Sequence, residues 1–195
     1  MVGQLKECVW RTNLKKLFAD YAPLLLIAGA VILLDQLTKS YIRANLPLGQ
    51  VWHPEWTLSL YARIVHVQNY GAAFGIFQSM SKVITVLSFI VAGVILYTFP
   101  QIPKKDRLTR LAMGLLLGGA MGNLIDRLFH GGYVTDFISL GPFPVFNVAD
   151  ASISTGVAIL FGVMLWQEVQ KKSAKDPAVS QETASEVLSE EAPGE

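Results

Sequence analysis

Apolar residues gather in four long stretches, and in three of them the charged and amide residues collect toward one end. The stretches cover residues 22–42, 83–99, 111–129 and 145–166. A helix of about 20 mostly apolar residues crosses the hydrocarbon core of a bilayer, so the pattern predicts four membrane-spanning helices. The first carries Asp35, Gln36 and Lys39 in its second half. The third closes on Asn123, Asp126 and Arg127, and the fourth opens on Asn147 and Asp150. Between the first two helices the period changes. Residues 57–61 and 63–69 are β-branched and alternating, which predicts short strands, and Asn69-Tyr70-Gly71 opens a turn leading back to the membrane. The fold class expected is an all-α membrane protein with four transmembrane helices and a small outer β element at about 43–82.

Charge places the helices. Lys6, Arg11, Lys15 and Lys16 precede the first span. Lys104, Lys105, Arg107 and Arg110 lie between the second and third, and Lys171, Lys172 and Lys175 follow the fourth. The stretch 130–144 holds no Lys or Arg. Basic loops stay on the cytoplasmic side, so both termini are expected there. The first and third helices then run outward, and their polar ends meet the start of the fourth near the outer leaflet. Gly114, Gly118 and Gly122, four residues apart, let a neighbouring helix approach the third closely.

Composition agrees. A chain 52% hydrophobic with mean hydropathy +0.41 is too apolar for an ordinary soluble domain. The near-zero net charge misleads, because residues 176–195 hold six acidic residues and no Lys or Arg. The rest is basic, which suits anionic membrane lipids. There is no basic stripe with interleaved aromatics, so nucleic acid is not expected as a partner. The single Cys8 excludes an intrachain disulfide. No cleavable signal peptide is read, and the first span is expected to be a permanent anchor. The domains expected are a cytoplasmic segment 1–20, a transmembrane domain 21–168 and a cytoplasmic, disordered acidic tail 169–195.

The candidate chemistry lies in carboxylates. Ionisable groups at membrane depth are costly and mark functional sites. Asp136 follows the third helix on a short connection, and Asp150 begins the fourth, so little chain separates them. Two converging carboxylates can share one proton and activate a water, as in aspartic proteases. The structural alternative makes Asp150 a helix N-cap and Asp136 a turn residue. Asp126 competes for the same role, but Arg127 beside it favours an ionised carboxylate in an ion pair. Asn123 and Asn147 stand three residues before Asp126 and Asp150, where they could anchor substrate, orient a carboxylate or join helices. Asp35 and Lys39 are spaced for an i,i+4 ion pair, a structural role. His53, His66 and His130 lack metal-ligand spacing, so no metal and no cofactor are expected. A small proton-coupled transporter or proton-conducting protein is the alternative function, since such proteins also carry intramembrane carboxylates.

Five segments together are similar to the bacterial lipoprotein signal peptidases, the signal peptidase II family. They are Asp35-Gln-Leu-Thr-Lys39, Asn69-Tyr-Gly71-Ala-Ala-Phe74, Gly118-Gly-Ala-Met-Gly122-Asn123-Leu-Ile-Asp126-Arg127, Val134-Thr-Asp136-Phe137 and Phe146-Asn147-Val-Ala149-Asp150. The resemblance covers about 20–168 and implies an intramembrane aspartyl endopeptidase of the bacterial cytoplasmic membrane. Such an enzyme cuts prolipoproteins just before a diacylglyceryl-modified cysteine. The resemblance puts the catalytic aspartates at Asp136 and Asp150 and the substrate-binding residues at Asn69, Gly71, Asn123, Arg127 and Asn147. Asp35, Lys39 and Asp126 are left in supporting roles. It further implies an outer β-cradle, which fits 43–82. The substrate is expected to lie at a strand edge with its acyl chains in lipid, and the protein to need no cofactor and to act as a monomer.

Overall fold

The computed structural model describes the backbone of residues 2–52, 61–71 and 80–175, and the side chains of 19–52, 61–71 and 81–172. The elements, in chain order, are α1 (Val2–Asn45), β1 (Val51–Trp52), β2 (Ala62–Asn69), α2 (Met80–Thr98), α3 (Arg107–Phe129), β3 (Val134–Leu140) and α4 (Val148–Lys175). A 3-10 turn, Phe99–Gln101, follows α2 at Pro100. Residues 1–159 form one compact unit and residues 160–195 a second. Within the second, helix α4 continues to Lys175, beyond the expected end of the fourth span at Trp166. Of the tail 169–195 expected to be disordered, 169–175 instead continue helix α4, and 176–195 lie outside the described residues.

Among the described residues four helices are long and apolar enough to cross a membrane: Ala19–Asn45, Ser81–Gln101, Arg107–Phe129 and Val148–Lys172. Their outward faces are apolar, as lipid contact requires: Leu26, Leu33, Leu37, Val83, Val86 and Ile90 are all exposed. Among its described side chains, helix α1 buries a stripe, Leu24, Ala28, Val31, Asp35, Lys39 and Ile42, at spacings of three and four. The stripe is apolar in its first half and charged in its second. From the apolar half, Leu24 and Ala28 join Ala92, Ile95 and Phe99 of the second span and Leu117 of α3 in one core. At that end Arg110 stacks on the Phe99 ring at 4.1 Å and donates to the carbonyls of Asp20 and Ile102.

Glycines set the α1–α3 distance. A Cβ at Gly114, Gly118 or Gly122 would lie 2.7 Å from Ile27, Val31 or Asp35 in turn. Both helices therefore advance in the same direction in step, as the four-residue spacing predicts. Gly131 and Gly132, at φ +71 and +90, then reverse the chain after α3.

The sheet is antiparallel in the order β1-β2-β3. The expected strand 63–69 forms as β2, while most of the expected strand 57–61 falls outside the described residues. One expectation is corrected. The segment holding Asp136, read as a short connection, is the strand β3, so the sheet extends beyond 43–82. Its side chains alternate too briefly to stand out from the apolar helices on either side. Phe146 pairs with Ile138, donating to its carbonyl at 3.0 Å and accepting from it at 2.8 Å. That bridge brings the start of α4 beside β3.

Candidate active site

Asp136 is 1% exposed on β3. The register of β2 against β3 slips between Ile64 and Val67, so Ile64 lies opposite Ile138 while Val67 lies opposite Asp136 and Asn69 opposite Val134. An extra residue in one strand reverses its alternation. Without the bulge Gln68 would share the face of Asp136. With it, Asn69 does, and its Nδ2 donates to Asp136 Oδ2 at 2.8 Å. Asn69 is fixed in turn, because its Oδ1 accepts the Gly71 N–H at 2.8 Å in the turn expected there. Gly71 has φ +90, and a side chain there would collide with Ile84.

Asp150 is reached from α4. Asn147 precedes the helix, and its Oδ1 accepts the Asp150 N–H at 3.0 Å, while Asp150 Oδ2 accepts the Asn147 N–H at 3.2 Å. This is a reciprocal capping box, with Asn147 as N-cap and Asp150 as the third helical residue. The N-cap reading of Asp150 is therefore corrected. Asn147 Nδ2 also donates to Asp136 Oδ1 at 2.6 Å and to Asn123 Oδ1 at 3.1 Å. Asn123 Nδ2 donates to Asp150 Oδ1 at 2.7 Å. Asp136 and Asp150 thus meet on one asparagine, and each of their four oxygens accepts an N–H. Half-buried Asp150 is the more open of the two.

Beneath this pair lies a second polar cluster with 0% exposure at Asp35, Lys39 and Asp126. Lys39 Nζ is 2.8 Å from Asp35 Oδ2, the i,i+4 pair expected, and 3.3 Å from Asp126 Oδ2. It also donates to Asn123 Oδ1 at 2.9 Å. Arg43 Nη1 lies 3.4 Å from Asp126 Oδ1 and donates to Thr135 Oγ1 at 3.0 Å. The expected Asp126–Arg127 ion pair does not form. Neighbouring residues on a helix diverge by about 100°, so Asp126 turns to α1 and meets Lys39 and Arg43 instead. Arg127 is half-buried, donates to the Asn123 carbonyl at 3.4 Å, and keeps a buried Nε without a hydrogen-bond acceptor. Among the described residues no three His, Cys, Asp or Glu side chains form a metal-holding group.

A family model described as Signal peptidase (SPase) II matches residues 27–166. The chain belongs to the signal peptidase (SPase) II family. It is 43% identical over 141 residues to the lipoprotein signal peptidase of Moorella thermoacetica, covering 71% of this chain and 89% of that one. It is 39% identical over 153 residues to that of Shouchella clausii, covering 77% and 98%. In structure it is similar to a bacterial membrane enzyme determined by the in meso method at 2.3 Å resolution. The TM-score is 0.66 and the identity 30%, over 80% of this chain and 89% of that one.

As a member of the signal peptidase (SPase) II family the chain is an aspartic endopeptidase, and the proton-transport alternative falls away. The electrostatics suit acid–base work. The Asp136 carboxyl is pushed up to about 6, chiefly by burial and further by the charge of Asp150, against the opposing hydrogen bonds of Asn69 and Asn147 and the charge of Lys39. A carboxyl so placed holds a proton more readily than an exposed one. Of the residues singled out in sequence, Asn69, Asn123, Asp136, Asn147 and Asp150 form one hydrogen-bonded group, with Gly71 supporting Asn69 from the turn. Arg127 stands at its margin. Sequence reasoning missed Arg43, Gln36 and Thr135. Gln36 donates to the Gly122 carbonyl at 3.0 Å. The signal for Arg43 was present, since Asp35, Lys39 and Arg43 recur at spacings of four on one helix face.

Proposed function

We propose that Asp136 and Asp150 are the catalytic pair with which this signal peptidase (SPase) II removes signal peptides from prolipoproteins, cutting before a diacylglyceryl-modified cysteine. The observation that carries the reading is the convergence of both carboxylates on Asn147. In this reading Asp136 carries the shared proton and Asp150 is ionised. Asp150 takes a proton from a water between them, and the water oxygen attacks the scissile carbonyl. Asp136 donates a hydrogen bond to the carbonyl oxygen as it gains negative charge. The proton then passes to the leaving nitrogen as the C–N bond breaks.

Asn69, Asn123 and Asn147 orient the carboxylates, and the free Nε of Arg127 is suited to a substrate carbonyl. The peptide is read as extended and held by its backbone at a strand edge of the sheet. We place the site near the outer leaflet of the bacterial cytoplasmic membrane with both termini cytoplasmic, on the strength of the basic loops. One chain suffices, because every group in the pair comes from the same copy. The peptidase domain is taken as 21–168, and no chemistry is assigned to 1–20 or 169–195. The direct test incubates the purified enzyme with a precursor peptide, diacylglyceryl-modified or not, and identifies products by mass. Cleavage just before the modified cysteine alone is expected. Equal cleavage of the unmodified peptide would refute the substrate assignment.

A further inference from the structure

Two buried carboxylates each hold the backbone N–H of the residue just ahead of a proposed catalytic aspartate. Thr135 N donates to Asp126 Oδ2 at 3.0 Å, one residue before Asp136. Ala149 N donates to Asp35 Oδ1 at 3.0 Å, one residue before Asp150. Lys39 Nζ joins the two carboxylates, at 2.8 Å from Asp35 and 3.3 Å from Asp126. Its remaining hydrogen-bonding direction is taken by Asn123 Oδ1 at 2.9 Å. With Lys39 and Asn147 both donating to that oxygen, the Asn123 amide must present its NH2 to Asp150. Gly122 leaves room for the arrangement, since a Cβ there would lie 2.7 Å from Asp35 Oδ2.

We infer that Lys39 is a positioning residue whose ammonium, by tying Asp35 to Asp126, sets the separation of Asp136 and Asp150. The inference rests on the reading of those two aspartates as the catalytic pair. Without the ammonium, Arg43 still meets Asp126, but only the neutral Gln36 amide, at 3.1 and 3.3 Å, joins the two carboxylates, and no cation stands between them to offset their repulsion in a poorly screened interior. Each grips a different element, Asp126 the strand β3 and Asp35 the first turn of α4. Their repulsion is therefore delivered to the backbone on either side of the pair. A shared proton and one attacking water tolerate little displacement, and about 1 Å of misplacement can cost on the order of 10²-fold in rate. Stability alone gives little reason for such a triad, because apolar replacements of buried ionic triads are often neutral or stabilising.

The test compares Lys39→Gln with wild type at equal folded enzyme, using a lipid-modified precursor peptide and a non-cleavable analogue carrying a hydroxyethylene group at the scissile bond. The kcat of Lys39→Gln is expected to fall on the order of 10²-fold while KM stays within about threefold. Affinity for the analogue, which mimics the tetrahedral state, falls with kcat. A kcat within about threefold of wild type, or a loss confined to KM, overturns the inference. If Lys39→Gln does not fold, the triple variant Asp35→Asn, Lys39→Met, Asp126→Asn carries the test. It removes all three charges yet leaves carbonyl oxygens for the Thr135 and Ala149 N–H groups. A folded triple variant with low kcat supports the spacer role, and one with wild-type kcat refutes it. Asp136→Asn is run beside them. If that variant is active, the catalytic pair itself has been misassigned, which is a separate failure.

Discussion

Asn147 and Asp150 hydrogen-bond each other twice across the first turn of α4, Oδ1 to N–H at 3.0 Å and N–H to Oδ2 at 3.2 Å. The same Asn147 amide reaches Asp136 Oδ1 at 2.6 Å. Capping and site assembly are thus two separable duties of one side chain. Asn147→Ser keeps an N-cap oxygen but loses the amide, whereas Asn147→Ala loses both. Both variants are expected to lose kcat to a similar extent, on the order of 10-fold or more. Asn147→Ala is expected to be less stable than Asn147→Ser by about 1 kcal/mol, the value of a cap. Thermal unfolding in detergent with matched initial rates decides it. Wild-type turnover by Asn147→Ser would show that the amide contact to Asp136 is dispensable.

The three aspartates nearest the site should separate by phenotype. In the proposed mechanism Asp136→Asn and Asp150→Asn each remove a group that exchanges a proton, so each should lose on the order of 10²-fold or more in kcat while still binding precursor. The double variant should be scarcely worse than either single one, because the pair acts as a unit. Asp126→Asn weakens the hold on Lys39, Arg43 and the Thr135 N–H. Lower stability and reduced but measurable turnover are expected of it. The comparison is initial rate per folded enzyme at saturating substrate. A dead Asp126→Asn beside an active Asp136→Asn would mean that Asp150 has a different partner.

Asp136 also predicts a pH dependence with a definite sign. Its carboxyl titrates at about 6 in the folded enzyme against an ordinary 3.8, raised mainly by burial. Between those values the folded state binds more protons than the unfolded one. This contribution to stability is fully present below 3.8, declines as pH rises, and is lost above about 6. The Tm of wild type relative to Asp136→Asn is therefore expected to fall between about pH 4 and about pH 7. A flat difference over that range would contradict the assigned protonation. In the same reading kcat/KM, which reports the free enzyme, declines above about pH 6 as the proton of Asp136 is lost.

Much of this was legible in the sequence because helices in lipid advertise themselves by length and hydropathy. The close α1–α3 approach at Gly114, Gly118 and Gly122 followed from their four-residue spacing. Asn147 and Asp150 followed from a three-residue spacing at a helix start. The strand β3 did not, because seven residues of mixed polarity between two helices carry too little alternation to be read. The bulge that turns Asn69 toward Asp136 has no sequence signature here, since it depends on pairing with a strand far along the chain. The partner of Asp126 was missed for a related reason. Adjacency to Arg127 was visible, whereas the helix contact that brings Lys39 and Arg43 to Asp126 is tertiary.

The proposed orientation of the site, argued from loop charge, can be tested without activity. Lys104, Lys105 and Arg107 sit at the α2–α3 connection, and Gln50 lies exposed beside β1 at the opposite, polar end of α1. If basic loops face the cytoplasm, these two places lie on opposite sides of the membrane. In a Cys8→Ser background, Lys105→Cys should resist an impermeant thiol reagent applied to intact cells, and Gln50→Cys should react with it. Permeabilising the cells should expose residue 105. Burial does not confound the comparison, because both positions are solvent-exposed in the fold. Labelling of Lys105→Cys from outside, with protection of Gln50→Cys, would invert the topology. The proposed catalytic pair would then face the cytoplasm, where a peptidase acting on exported precursors could not meet its substrate.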